Sequence, residues 1–177
     1  MRPLTDEEFS ALFEDYQSSA FRLETRQVYT VPQFDESLRK FLAGDPKPES
    51  FNAAWHARIG RYVAAGKTMQ RAKFVRRPLT DYSRYLLSWG VPGNVVAGED
   101  YRILDVTDRT VDLPEQDFWI FDDETVALLN FNEDGTVRGH ELADSAHLDQ
   151  YRKWRDLALS EAIPWSEYRL QHPSDGQ

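Results

Sequence analysis

Apolar residues recur along this chain first at helical and then at strand spacing, and the order of the two patterns sketches an architecture. Thr5 and Glu8 form a capping box ahead of Phe9, Leu12, Phe13 and Tyr16, which predicts an amphipathic helix over 5–17. The segment AFRLETRQVYTV then alternates Phe21, Leu23 and Thr25 with Arg22, Glu24 and Arg26, a strand with one charged face. Pro32 opens a short helix carrying Phe34, Leu38, Phe41 and Leu42, closed by Gly44. Ser50 is placed to cap another, with Phe51, Trp55, Ile59, Tyr62 and Val63 turned inward and Gly66 at its end. TMQRAKFV reads as a strand, PLTDYSRYLLSWG as a helix with Tyr82, Tyr85, Leu86 and Trp89 on one face, and YRILDV (101–106) as the next strand. That β-α-β order predicts parallel strands joined by a right-handed crossover.

The second half changes period. In DFWIFDDETVALLNF (117–131), Phe118 and Ile120 fall on one face and Trp119 and Phe121 on the other, so the strand is expected to be covered on both sides. Asp122, Asp123 and Glu124 turn it into its neighbour, and the Asp134-Gly135 turn leads into TVRGHEL. A long helix follows over ADSAHLDQYRKWRDLALSEA, with Leu148, Tyr151, Trp154, Arg155 and Leu159 near one stripe, and Pro164 ends it. The expected fold is mixed α/β, one domain over residues 1–170. It has a central mixed sheet of about five or six strands, a β-α-β unit followed by an antiparallel meander, and helices packed over it. Residues 171–177 read as a disordered tail.

Composition narrows the function classes. The 177 residues are 41% hydrophobic, which suits one domain with a real core and argues against wholesale disorder. No apolar run approaches the length of a membrane span, and the N-terminus carries acids where a signal peptide needs an apolar stretch. Cysteine is absent, which removes disulfides, thiolate catalysis and cysteine-held zinc or iron–sulfur centres. A cytoplasmic location is expected. The net charge of -9 opposes non-specific binding to nucleic acid. The charge is uneven, however. Arg58, Arg61, Lys67, Arg71, Lys73, Arg76, Arg77 and Arg84 face only Asp81 between positions 58 and 89, and acids dominate from Asp108 to Asp149. Such polarity either steers a partner or charged ligand, or makes two solvated faces.

Most motif chemistries fail. His56, His140, His147 and His172 make no zinc-hydrolase spacing, and GVPGNVVAG lacks both the phosphate-loop Lys-Ser/Thr and the dinucleotide spacing. There is no G-x-S-x-G elbow, and NEDGTVRGHE lacks the acid order of a calcium loop. No cofactor or bound metal is expected. Two constellations remain. Glu24 with Asp122 and Asp123 would suit a metal-assisted hydrolase or phosphodiesterase if the three converged, although aspartates favour turns in any case. The Arg22–Glu24–Arg26 face, with Arg71 and Arg76, is either a cross-strand ladder or a site for an anion or an acidic partner.

Six blocks carry a resemblance: FRLETRQVY (21–29), FLAGDP (41–46), RAKFVRRPLTDYSRY (71–85), NVVAGEDYRIL (94–104), DFWIFDDETVALLNFNEDG (117–135) and YRKWRDLALSEAIP (151–164). On them the chain resembles an uncharacterised actinobacterial family of domains of unknown function, common in streptomycetes, over about residues 17 to 164. Members of that family are often encoded near helix-turn-helix regulators, so the resemblance implies a regulatory setting and a protein partner, with no assigned reaction. RAKFV, the helix after it, YRILDV and the 117–131 hairpin are also similar in order to a phospholipase D-like half-domain. The hairpin here starts Asp117-Phe118-Trp119, without the His-x-Lys of those enzymes, so that likeness implies a catalytically dead relative. The expected function is a regulatory or interaction protein without catalysis, acting through a protein partner or a small anionic ligand. A metal-assisted hydrolase is the alternative, and direct DNA binding through the basic stretch is the weakest reading.

Overall fold

The computed structural model describes residues 1–176. Among them, eight strands form one mixed sheet: β1 (Arg2–Leu4), β2 (Ser19–Glu24), β3 (Thr68–Val75), β4 (Asp100–Asp105), β5 (Asp117–Phe121), β6 (Thr125–Phe131), β7 (Val137–Leu142) and β8 (Ile163–Pro164). Their order is β1-β7-β6-β5-β2-β3-β4-β8. After β1 at one edge, the chain crosses to the centre with β2 and steps outward through β3 and β4, all three of these parallel. It then returns to the other side of β2 to lay down the antiparallel meander β5–β6–β7. The helices are α1 (Asp6–Asp15), α2 (Asp35–Leu42), α3 (Ala53–Ala64), α4 (Asp81–Tyr85), α5 (Val91–Ala97), α6 (Leu148–Glu161) and α7 (Trp165–Gln171).

Strand alternation divides the core into two layers. Phe21, Leu23, Ala72, Phe74, Leu104, Phe118, Ile120, Val126 and Leu128 point to one face, where Ala158, Tyr151 and Trp154 of α6 cover them. Ala20, Met69, Trp119, Phe121, Ala127 and Leu129 point to the other, under Phe13 of α1 and Ile59 and Tyr62 of α3. On that second face, toward β4, Val75, Tyr101 and Ile103 pack against Leu87, Val91 and α7. The β5 strand is thus covered on both sides, as its sequence predicts.

The mixed α/β class and the parallel β-α-β order agree with the sequence reading, but the sheet is larger. The added strands are the two edges, β1 and β8, and segments of two or three residues carry no readable periodicity. Strand β2 stops at Glu24, so Arg26 is not on its ladder. Helix α3 starts after Asn52, which adopts φ +56 without a side-chain cap, rather than at Ser50, and Val63 is exposed instead of inward. GVPGNVVAG is largely helical: a π-helical turn at Leu86–Gly90 joins α4 to α5. The expected disordered tail is placed as far as residue 176, with buried Asp175 bonded to Arg77 at 2.5 Å and Tyr168 at 2.7 Å. Gln177, also assigned to that tail, lies outside the described residues. Among the described residues, no helix is long and apolar enough to cross a membrane.

Candidate ligand-binding site

Register builds the site. Parallel pairing of β2 with β3 sets Arg22 beside Arg71 and Glu24 beside Lys73. Trp119 of β5 lies beside Arg22, and Tyr101 of β4 beside Arg71. One row across four strands therefore reads Trp119–Arg22–Arg71–Tyr101, two guanidiniums bracketed by two aromatic rings. Both guanidinium carbons sit over Trp119, at 5.7 and 5.5 Å from a ring centroid, and that of Arg71 is 5.4 Å from Tyr101.

Two adjacent arginines would repel, and Glu24 holds them together. Its Oε1 accepts from Arg71 Nη1 at 2.6 Å and lies 3.1 Å from Arg22 Nε, while Oε2 accepts from the Tyr101 hydroxyl at 3.2 Å. Arg71 Nε also donates to Glu99 at 2.9 Å, whose other oxygen accepts from Asn94 Nδ2 at 2.7 Å. Arg22 Nη2 donates to Asp117 at 3.3 Å, and Asp117 accepts in addition from the Tyr29 hydroxyl at 2.6 Å and from the Thr25 backbone and hydroxyl. Lys73 is fully buried, donates to the Arg26 carbonyl, and lies 4.9 Å from the Tyr29 ring centroid. Arg22, Arg71 and Lys73 thus balance Glu24, Glu99 and Asp117. That balance is what permits burial, since an unpaired charge here would carry its full desolvation cost.

Protonation states follow. Burial alone would raise Glu24, but the charges of Arg71, Arg22 and Lys73 prevail and hold its carboxyl at about 2. Burial takes Lys73 down to about 8, against the pull of Glu24 and Asp117. Burial, with Asp117 and Glu24 nearby, pushes the Tyr29 hydroxyl well above its ordinary value. The cluster is a fixed array of four ion pairs, Arg22 with Glu24 and Asp117 and Arg71 with Glu24 and Glu99.

Above this floor opens a pocket of about 430 Å³. Arg22, Glu24, Arg71 and Trp119 form its base, and Phe9, Phe13, Phe34, Trp55, Tyr82 and Phe131 form much of its wall. Phe9 stacks on His140 of β7, with centroids 3.8 Å apart. The π-helical turn contributes Leu86 and Gly90, and such turns recur where a helix is adapted to a site. Gly93 permits the wall to close: a Cβ there would lie 2.3 Å from the His56 ring, so only glycine lets α5 pack this close to α3. Each arginine keeps one terminal nitrogen, Nη1 of Arg22 and Nη2 of Arg71, without a hydrogen-bond acceptor among the described residues. The pocket therefore joins apolar aromatic walls to a small number of directed donors, the usual composition of a small-molecule site.

Of the residues singled out from sequence, Arg22, Glu24 and Arg71 meet here. Arg26 and Arg76 do not: they flank a separate polar groove of about 280 Å³, with Arg26 tied to the carbonyls of Asn132 and Glu133 and Arg76 to that of Val106. The acids Glu24, Asp122 and Asp123 do not converge. Asp122 accepts from the backbone N–H groups of Gln17, Ser18 and Ser19, at the far end of β2 from Glu24. Five strand steps at roughly 3.3 Å separate those ends, or about 16 Å. Asp123 pairs with Arg155 on the opposite layer. Both aspartates have φ near +55° (53° and 60°), so they are the central residues of a hairpin turn. Among the described residues, no group of three His, Asp or Glu side chains is arranged to hold a metal. Within the basic stretch, Arg71 and Lys73 are buried, Arg58 pairs with Glu14, and Arg77 with Asp105 and Asp175.

Sequence reasoning missed Lys73, Glu99, Asp117, Tyr29, Tyr101 and His140 as parts of the site. Lys73 carried a signal, because it lies two positions from Arg71 in a strand and so shares its face. Glu99 sits just before β4 and Asp117 at the start of β5, where an acid looks like a turn residue.

A family model described as Domain of unknown function (DUF6879) matches residues 7–170. No curated protein matches the chain. The family match gives no support to the phospholipase D-like likeness, and Asp117, at the hairpin start, is occupied by Thr25, Tyr29 and Arg22.

Proposed function

The chain belongs to that family of unknown function, and we propose that it is a small-molecule-binding regulatory protein without a catalytic step. It holds a small anionic ligand in the pocket over Arg22, Glu24 and Arg71 and passes the bound state to a protein partner in the cytoplasm. The observation that supports this is the coincidence of an aromatic pocket with two arginines at its base, Arg71 buried and Arg22 half-buried, each keeping an unpartnered N–H group. A hydrolase built on Glu24, Asp122 and Asp123 has no such support, since those carboxylates stand about 16 Å apart along the sheet or on opposite layers of it.

The test uses anilinonaphthalene sulfonate, a probe with an aromatic body and one anionic group, followed by titration calorimetry. One binding site is expected. Val137 is half-exposed at the pocket rim, so Val137→Trp blocks the entrance without disturbing the core, and should weaken binding at least about tenfold. Unchanged affinity in that variant would place the probe elsewhere and remove the pocket from the account.

A further inference from the structure

The pocket floor is more selective than an anion site in general. The cluster contains three cations and three carboxylates, so it offers directed N–H groups without excess positive charge. The stacking of both guanidiniums on Trp119 and their bonds to Glu24, Glu99 and Asp117 fix where those N–H groups point. A head group carrying two negative charges would face Glu24 across the same floor in a low-dielectric space, and Lys73, the cluster's one cation outside the ion pairs, is fully buried on the Arg26 carbonyl and does not line the pocket. A carboxylate brings a single charge spread over two oxygens, one for Nη1 of Arg22 and one for Nη2 of Arg71. The walls are ring-bearing, and 430 Å³ is at the small end for a ligand pocket, which suits a flat body of one or two rings.

We infer that the ligand is an aromatic monocarboxylic acid, its carboxylate held between Arg22 and Arg71 and its rings between the aromatic walls. This rests on the pocket reading proposed above and adds the identity of the head group. The specificity lies in the two arginines: each supplies one N–H, and Glu24 excludes a second negative charge.

Three probes of one shape test it in the full chain by calorimetry near neutral pH: 2-naphthoate, 2-naphthamide and 2-naphthyl phosphate. The expected result is that 2-naphthoate binds at least about tenfold tighter than either of the others. Arg22→Lys, which keeps the charge but loses the fork, should lower naphthoate affinity to that of the amide. If the phosphate binds as tightly as the carboxylate or tighter, the monocarboxylate assignment is overturned while the anion-binding pocket stands. If the amide matches the carboxylate, the head-group assignment is overturned together with the anionic reading. If none of the three binds, the pocket reading itself fails. Should Arg22→Lys not fold, the comparison of the three probes on the unaltered chain decides alone.

Discussion

The two sides of β2 are built from the same six residues and could hardly differ more. Phe21 and Leu23 face α6 in a layer that is apolar throughout, whereas Arg22 and Glu24 face α1 and α3 in a buried lattice of ion pairs. The apolar side is covered by Ala158, Tyr151 and Trp154 of α6. The charged side carries the pocket, because guanidinium and carboxylate groups must keep their geometry to stay paired and leave room above them. One layer holds the sheet together, and the other is shaped for recognition, at a cost in stability that only exact pairing offsets.

The largest expected effect comes from breaking that pairing. Glu24→Ala leaves Arg22 and Arg71 buried without their shared carboxylate and should cost about 3–5 kcal/mol in denaturant unfolding. Leu23→Ala, one residue away on the other side, should cost about 2–5 kcal/mol by opening a cavity. The two differ in kind: the Leu23 variant keeps the charged floor and should still bind naphthoate, and the Glu24 variant should not.

Acid separates the layers next. The Glu24 carboxyl sits at about 2 in the folded protein against an ordinary 4.5, so the folded state holds fewer protons than the unfolded chain between those values. Its stabilisation is complete above pH 4.5 and is lost as pH falls toward 2, an effect on the order of 3 kcal/mol. Unfolding free energy measured across that range should therefore fall less steeply in Glu24→Gln than in the unaltered chain, while Leu23→Ala keeps the full slope. Equal slopes in all three would mean that Glu24 is not held ionised by its arginines.

A smaller effect belongs to the turn. Asp122 satisfies three backbone N–H groups, and Asp122→Ala should cost about 1–3 kcal/mol in unfolding with no change in naphthoate affinity. A loss of binding in that variant would reopen a role for the acidic turn in the site.

How much of this was legible in the sequence follows from the same contrast. Local patterns gave the capping box of α1, the bounds of β3 and the double coverage of β5, because each depends on neighbours in the chain. The alternation of Arg22 and Glu24 with Phe21 and Leu23 identified a strand with two unlike faces, and Arg22, Glu24 and Arg71 were singled out. That the charged face is buried could not be read, because it depends on β3 and β5 lying on either side of β2, and those contacts cross 47 and 95 residues of chain. Asp117 and Glu99 acquire their roles only through such distant partners. The edge strands were missed for a simpler reason, since β8 is a pair of residues recruited by β4.

The most direct measurement is a crystal of the protein soaked with 2-naphthoate. The account predicts density for the rings between Phe9, Trp55 and Tyr82, with the carboxylate within hydrogen-bond distance of both Arg22 Nη1 and Arg71 Nη2. A pocket that stays empty at saturating naphthoate, or a carboxylate turned away from the two arginines toward solvent, would contradict it.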